Sequence, residues 1–507
     1  GGTARQIWKY TKGSSEAVRL TNGHNGESHH PMWYNNRVYF LTARDGIMNI
    51  WSINENGNDL KQHTKHVGFD ARRSTISNNG VIVYQLGADI WKYNVNSGEN
   101  SKINIRIASD LDHQREKWVE NPANYISAMH PDNDGKRVVI TARGRVFVAP
   151  VETGRFVEFT DKKNVRLNDA VFSANGNELF MLSDESGEFE FIGLPSNGIG
   201  KQKNITKNGT VLRYAGVPSP DGKWLAYDDL ENNMFILNIA TGSSKKISNN
   251  EEGIYSFSWS PDSKWLAFVQ VADNTMAQIQ VHGVDSGETF PITTDRANSL
   301  NPEWSPDGKF IYFLSDRSFT TLVGSPWGTR QPEPYFDASE KLYHIALQKG
   351  TRSPFRENDE LYKAPKSKDD DKSVSVKIDR DGIIERVEEV PIPAGNYNGL
   401  GVTKNAIYFL NSSTGINRKT DLSVVKITND NPKVKTFAEG VRSFELTANG
   451  EKILVRKGRN FYMAKAGTGK ADLGDGINLS GWKFSISPKE DWQQLFTDAW
   501  RMERDYF

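Results

Sequence analysis

Two adjacent arginines, Arg72 and Arg73, are the side chains of this sequence best suited to hold a ligand. A guanidinium presents a planar fork of N–H donors that matches a carboxylate, so the pair could grip a carboxylate or a peptide C-terminus. The alternatives are an ordinary solvated pair or a contact to a neighbouring domain. The reading places both arginines in a loop that enters a strand-rich unit. Among the histidines, His24 with His29-His30, and His63 with His66, form two loose groups. Both are expected in inter-strand loops, with no Cys and no ordered carboxylates nearby, so solvated loop histidines are expected and no metal site is assigned. His113 falls in a charged stretch, His282 alternates with Gln278 and Gln280 on a polar strand face, and His344 lies in a strand. None is paired in sequence with a nucleophile. There is no Gly-x-Ser-x-Gly elbow, His-Glu-x-x-His helix, Walker loop or dinucleotide fingerprint. Cys is absent, which removes disulfides and thiolate chemistry. No cofactor is implied, and no reacting group is visible.

What remains is the framework that could position the arginines. The chain has 507 residues, 37% of them hydrophobic, which suits a globular protein of two or three domains. Lys+Arg and Asp+Glu are both 63, so a strongly basic nucleic-acid surface is not expected. No apolar run approaches the roughly 20 residues of a membrane span.

The framework is repetitive. Ser219-Pro220-Asp221-Gly222-Lys223-Trp224-Leu225-Ala226-Tyr227 recurs from Ser260 and again from Ser305, at intervals of 41 and 45 residues. Weaker copies begin at His130, Ser173, Thr403 and Thr447, and earlier at Trp33 and Ser77. A period of this length with four short β-runs signals a β-propeller rather than a β-sandwich. Asp-Gly and Asn-Gly suit the φ > 0 positions of a tight turn. Asp221, Asp262 and Asp307 are therefore expected to bond their local backbone, not to act as catalytic carboxylates. The periodic aromatics Trp224, Tyr227, Trp265 and Phe310 are expected in the core.

Counting copies predicts an all-β chain. Residues 1–110 are the last blades of a first propeller, a probable six-bladed ring. Residues 111–120 are a linker, and 121–467 form a complete seven-bladed propeller. One blade carries a long insertion at about 318–373, with Lys341 to Leu347 as a returning strand and the charged run Lys366 to Lys372 as a solvated loop. Residues 468–507 hold a linker and a C-terminal helix. In that helix Ser487 can cap and Pro488 suits the first turn. Trp492, Leu495, Phe496, Ala499 and Trp500 share one face. That stripe either docks on the propeller or opens a further domain. The absent initiator Met and the helix at the end lead us to expect an excerpt of a longer protein.

With these features assembled, the chain resembles the tricorn proteases and their bacterial homologues (S41-type serine peptidases). The resemblance rests on the two-propeller order, on Ser353-Pro354-Phe355 and Val390-Pro391-Ile392-Pro393-Ala394-Gly395-Asn396-Tyr397, and on the closing run from Asp491 to Phe507. It implies a serine-type oligopeptidase. Its propellers would route oligopeptide substrates and products, and its catalytic and PDZ-like domains would lie beyond Phe507. It implies hexamers, no nucleic-acid partner and a cytoplasmic location, or a periplasmic one if an upstream signal exists. The family also holds a peptide C-terminus with an arginine pair; Arg72 and Arg73 are candidates for that role. The competing readings are a non-catalytic TolB-like binding module and the propeller cap of a prolyl-oligopeptidase relative.

Overall fold

The computed structural model describes residues 4–159, 162, 164–207, 209–318, 321–323, 335–360, 362, 374–415 and 417–507. The chain divides into two compact units, Gly1–Asp112 and His113–Phe507. Both are built of antiparallel sheets of neighbouring strands, an arrangement consistent with propeller architecture. Among the described residues there is one α-helix, Pro488–Tyr506, and no helix is long and apolar enough to cross a membrane.

In the first unit, a two-stranded ribbon (Trp8–Lys9 with Val18–Arg19) precedes two four-stranded sheets. The first sheet runs Ser28–Tyr34, Arg37–Thr42, Asn49–Asn54 and Lys61–Gln62. The second runs Ala71–Ile76, Val81–Leu86, Asp89–Asn94 and Asn100–Lys102.

In the second unit, six four-stranded sheets begin at Ile126, Leu167, Val217, Ile254, Ser299 and Asn396. A seventh, three-stranded sheet follows: Ser443–Leu446, Lys452–Lys457 and Asn460–Lys465. The second strand of each sheet is apolar on both faces because both faces are covered. In Phe310–Ser315, Ile311 and Phe313 pack with Val281 and Ile279 of the fourth sheet. Phe310, Tyr312 and Leu314 pack with Ile407 and Phe409 of the sixth. Side chains alternate across a strand, so an unbroken apolar run feeds two cores at once. Each fully buried side chain contributes about 1.5–3 kcal/mol. The seventh sheet meets the first in the same way, with Leu454 and Phe461 packed among Val138, Ile140 and Phe147. Beside that seam Lys117–Trp118 pairs with Ser485–Ile486.

The repeated turn works as its chemistry requires. Ser219 Oγ donates to Asp221 Oδ1 (2.7 Å), the amide of Lys223 donates to the same oxygen (3.1 Å), and the amide of Trp224 donates to Ser219 Oγ (3.0 Å). The turns at Ser260 and Ser305 repeat these bonds. Gly222 and Gly308 supply φ of 71° and 68°. Ser263 occupies the same position at φ 60°, and its Oγ accepts from the amide of Asp221 (2.9 Å), which offsets the backbone strain.

Two expectations need correction. The returning strand Lys341–Ala346 pairs with Phe310–Ser315, but it divides the insertion in two. One excursion precedes it and a second separates it from the fourth strand, Val387–Glu389. The run Lys366 to Lys372 lies outside the described residues. Ser487 stands at the helix N-cap, yet its side chain makes no capping bond; its carbonyl accepts from the amide of Asp491.

Candidate functional site: the first strands and the terminal helix

In seven sheets of the two units, the pairing of first and second strands slips by a bulge. At six of these bulges a residue takes positive φ: His30 (54°), Arg73 (52°), Asp169 (50°), Ser256 (58°), Asn301 (52°) and Gly399 (62°). A bulge re-aims side chains and leaves backbone unpaired, and it recurs here as part of the fold. Arg72 and Arg73 therefore stand in a strand, not in the expected loop, because the amide of Ala71 bonds the carbonyl of Met48 and starts the strand there. Both are exposed, and Arg72 Nη2 lies 3.8 Å from Asp70 Oδ2. The backbone position of Arg73 is architectural, while among the described residues its guanidinium makes no hydrogen bond or ion pair.

The histidines also depart from expectation. His29 and His30 lie in the strand Ser28–Tyr34, and the bulge brings their Nδ1 atoms to 2.6 Å. His63 is not a solvated loop residue. Its Nε2 bonds Ser52 Oγ (2.7 Å), its Nδ1 bonds Tyr93 Oη (3.0 Å), and burial pushes it down to about 4. His66 Nε2 bonds Tyr84 Oη (2.7 Å). The polar strand face of Gln278, Gln280 and His282 lies inside the protein: His282 is 1% exposed, bonds Thr289 Oγ1 and is pushed down to about 4 by burial. His344 is buried among Phe310, Tyr312 and Phe355. Among the described residues no three His, Asp or Glu side chains are grouped to hold a metal ion.

A second arrangement emerges only when the sheets are aligned on their turns. In each sheet of the second unit one amide closes the turn: those of Asp132, Ser173, Ser219, Ser260, Ser305, Thr403 and Thr447. Two residues before them stand His130, Val171, Val217, Ser258, Glu303, Gly401 and Glu445. Members from adjoining sheets bond each other directly. Ser258 Oγ donates to Glu303 Oε2 (3.0 Å), and His130 Nδ1 lies 2.8 Å from Glu445 Oε2. These positions therefore form one layer. The sixth sheet contributes only Gly401, where a Cβ would come within 2.8 Å of Leu446 Cδ1. Around it lies a cavity of about 1010 Å³ lined by Glu303, Leu400, Gly401, Val402, Phe444 and Glu445, among others. Glu303 sits deep in the protein yet keeps water access, as a side chain facing a cavity must, and burial raises its carboxyl to about 7. The Glu445 carboxylate raises His130 above the usual imidazole range.

Of the two roles open to the apolar stripe of the terminal helix, docking on the sheets is not the one observed. The helix docks through charge: Asp491 to Arg143 (2.8 Å), Asp498 to Arg166 (3.0 Å) and Arg501 to Asp184 (2.9 Å). Gln494 Nε2 also donates to Asp184 Oδ2 (2.6 Å), and Arg501 Nη2 to the carbonyl of Gly187 (2.7 Å). Arg501 and Asp184 are buried, whereas Trp492, Phe496 and Trp500 are 48%, 75% and 54% exposed. The apolar stripe therefore faces away from the docked side.

Comparison with known families places this architecture. The model of the tricorn protease second β-propeller domain matches residues 126–467, and that of the tricorn protease N-terminal β-propeller domain matches 1–99. The chain belongs to the tricorn protease propeller family. It is 25% identical, over its full length and 46% of the relative, to the tricorn protease homolog of Saccharolobus solfataricus. It is 24% identical to tricorn protease homolog 1 of Streptomyces coelicolor, over its full length and 50% of that protein. The crystal structure of the tricorn protease aligns over the whole chain and 48% of that structure, at a TM-score of 0.71 and 18% identity, and so shares the fold. The chain thus spans about half the length of the curated relatives it matches.

Alignment on the repeated turn could have revealed the layer from sequence, because the turn is legible and the layer stands two residues before it. No comparable signal identifies the polar docking of the helix.

Proposed function

We propose that this chain is the propeller region of a serine-type oligopeptidase of the tricorn kind, passing oligopeptides to or from a catalytic half that follows it. The observation that carries this reading is the order of the two family matches, N-terminal propeller then second propeller, along one chain. In this reading the seven sheets of 121–467 close a ring through the seam between the seventh and the first. The sheets of 1–110 complete a six-bladed ring with blades supplied upstream, and 111–120 links the two. The exposed Trp492, Phe496 and Trp500 stripe is the surface on which the catalytic and PDZ-like domains build, as residues 468–507 lead into them. Arg72 and Arg73, both exposed and, among the described residues, the Arg72 side chain held only by its ion pair with Asp70, hold a peptide carboxylate. The parent protein assembles as a homo-oligomer, a hexamer by resemblance. It works in the cytoplasm, or in the periplasm if an upstream signal exports it.

The chemistry of the parent would be serine attack on a peptide carbonyl with backbone amides holding the oxyanion. The 507 residues contribute delivery rather than bond breaking. The test is to express the natural gene through the region after Phe507, then measure oligopeptide hydrolysis and covalent labelling by a fluorophosphonate. Turnover and labelling are expected for the longer protein and neither for the 507-residue chain. A longer protein that is neither labelled nor active on oligopeptides would overturn the reading.

A further inference from the structure

The layer two residues before the turns holds one carboxylate that no cationic side chain among the described residues answers. Glu445 is paired with His130. Glu303 has the hydroxyl of Ser258, and among the described residues no Lys, Arg or His pairs with it. A deep carboxylate without a cation is costly, and such a group is either neutralised or met by a ligand. Beside it the sixth sheet places Gly401, whose missing Cβ leaves room for Leu446 and Phe444 of the seventh sheet, and the cavity of about 1010 Å³ lies against Glu303, Gly401 and Glu445. Its walls also include Leu400, Val402 and Phe444, which suit the carbon skeleton of a small organic cation better than a bare ion, and Lys404, which does not pair with Glu303. A lone carboxylate and a hydroxyl are too few donors for a metal ion, whereas an ammonium carries three N–H groups that they can accept.

We propose that Glu303, with Ser258, binds a primary ammonium group in this cavity: the free N-terminus of an oligopeptide or the side chain of a lysine. The inference deepens the peptide-handling function proposed above and rests on it. It makes the second unit selective for peptides that present a free amine, with Glu303 as the specificity-determining residue.

The test uses the 507-residue protein and pentapeptides of alanine carrying a C-terminal fluorophore, followed by anisotropy at pH 8. Three peptides are compared: a free N-terminus, an acetylated N-terminus, and an acetylated N-terminus with a lysine at the second position. The free-amine peptide should bind about tenfold more tightly than the plain acetylated one, the scale of one charge-assisted hydrogen bond. Equal binding by the lysine peptide would assign the site to ammonium groups of either source, and weak binding would restrict it to the N-terminus. Glu303→Gln should erase the preference while leaving the circular dichroism unchanged. Should that variant not fold, competition gives the same answer without mutation: n-butylamine should displace the free-amine peptide and n-butanol should not. Equal affinity for free and plain acetylated peptides would overturn the ammonium site while leaving peptide handling intact. Failure of all three to bind would overturn both.

Discussion

Replacing Arg501 by Met should release the terminal helix while leaving the sheets folded. Asp184 is buried at 6% exposure and accepts from Arg501, from Gln494 and, through its other oxygen, from the amide of Arg166. Removing the guanidinium strands a carboxylate in a site shaped for a pair, a loss of about 3–5 kcal/mol when both partners are buried. The remaining ties, Asp491 to Arg143, Asp498 to Arg166 and Arg504 to Glu188, are partly exposed and contribute up to about 1 kcal/mol each. The variant is therefore balanced at or beyond undocking, and rehydration of Asp184 favours release. Hydrogen exchange across 488–506 should accelerate by about a hundredfold, since each 1.4 kcal/mol is roughly a factor of ten. The melting temperature of the sheets should move little. The double variant Arg501→Met, Asp184→Asn should recover part of the protection, because the stranded charge is gone. Unchanged exchange in Arg501→Met would refute polar docking, and cooperative loss of the sheets with the helix would refute its independence.

Further expectations follow from the layer and the turns. Burial raises Glu303 from 4.5 to about 7, so the folded state holds its proton more tightly than the unfolded chain. The proton-linked stability is complete below about pH 4.5 and is lost as pH rises toward 7; over that span it is about 3 kcal/mol at 1.36 kcal/mol per unit. Glu303→Gln should thus resist urea better than the parent at pH 8 and equally at pH 4.5; a variant less stable at pH 8 would contradict this. His130 is raised by Glu445, so its pairing stabilises the fold below the ordinary imidazole value and is lost as pH climbs through the raised one. Glu445→Gln should return the His130 titration, read by NMR, toward the ordinary value. Ser305→Ala leaves the buried amide of Phe310 without its hydroxyl acceptor and should cost about 1–2 kcal/mol in chemical unfolding.

Much of the fold was legible because its turns carry their own chemistry. Ser219, Asp221 and Gly222 satisfy one another within five residues, so the phrase specifies the same turn wherever it occurs. The burial of Phe310 was legible for the same reason: its periodic place after the turn puts it at the start of a core strand. Which of the two roles the terminal helix's stripe takes was not legible, because amphipathicity identifies an apolar face without saying which face is covered. The helix's covered face meets Arg143, Arg166 and Asp184, side chains more than 300 residues away in sequence. His63 and His66 were misread because their partners, Ser52, Tyr93 and Tyr84, come from neighbouring strands and a neighbouring sheet. Arg72 and Arg73 were placed one element too early because a bulge hides the register of their strand.

The short ribbon of Lys117–Trp118 with Ser485–Ile486 has a consequence for topology. It fastens together the two points at which the backbone joins and leaves the seven-sheet unit, so that unit has no distant ends. A circular permutant joined across this staple and opened between the exposed Glu251 and Glu252, in the turn between the third and fourth sheets, should keep the interfaces between the sheets.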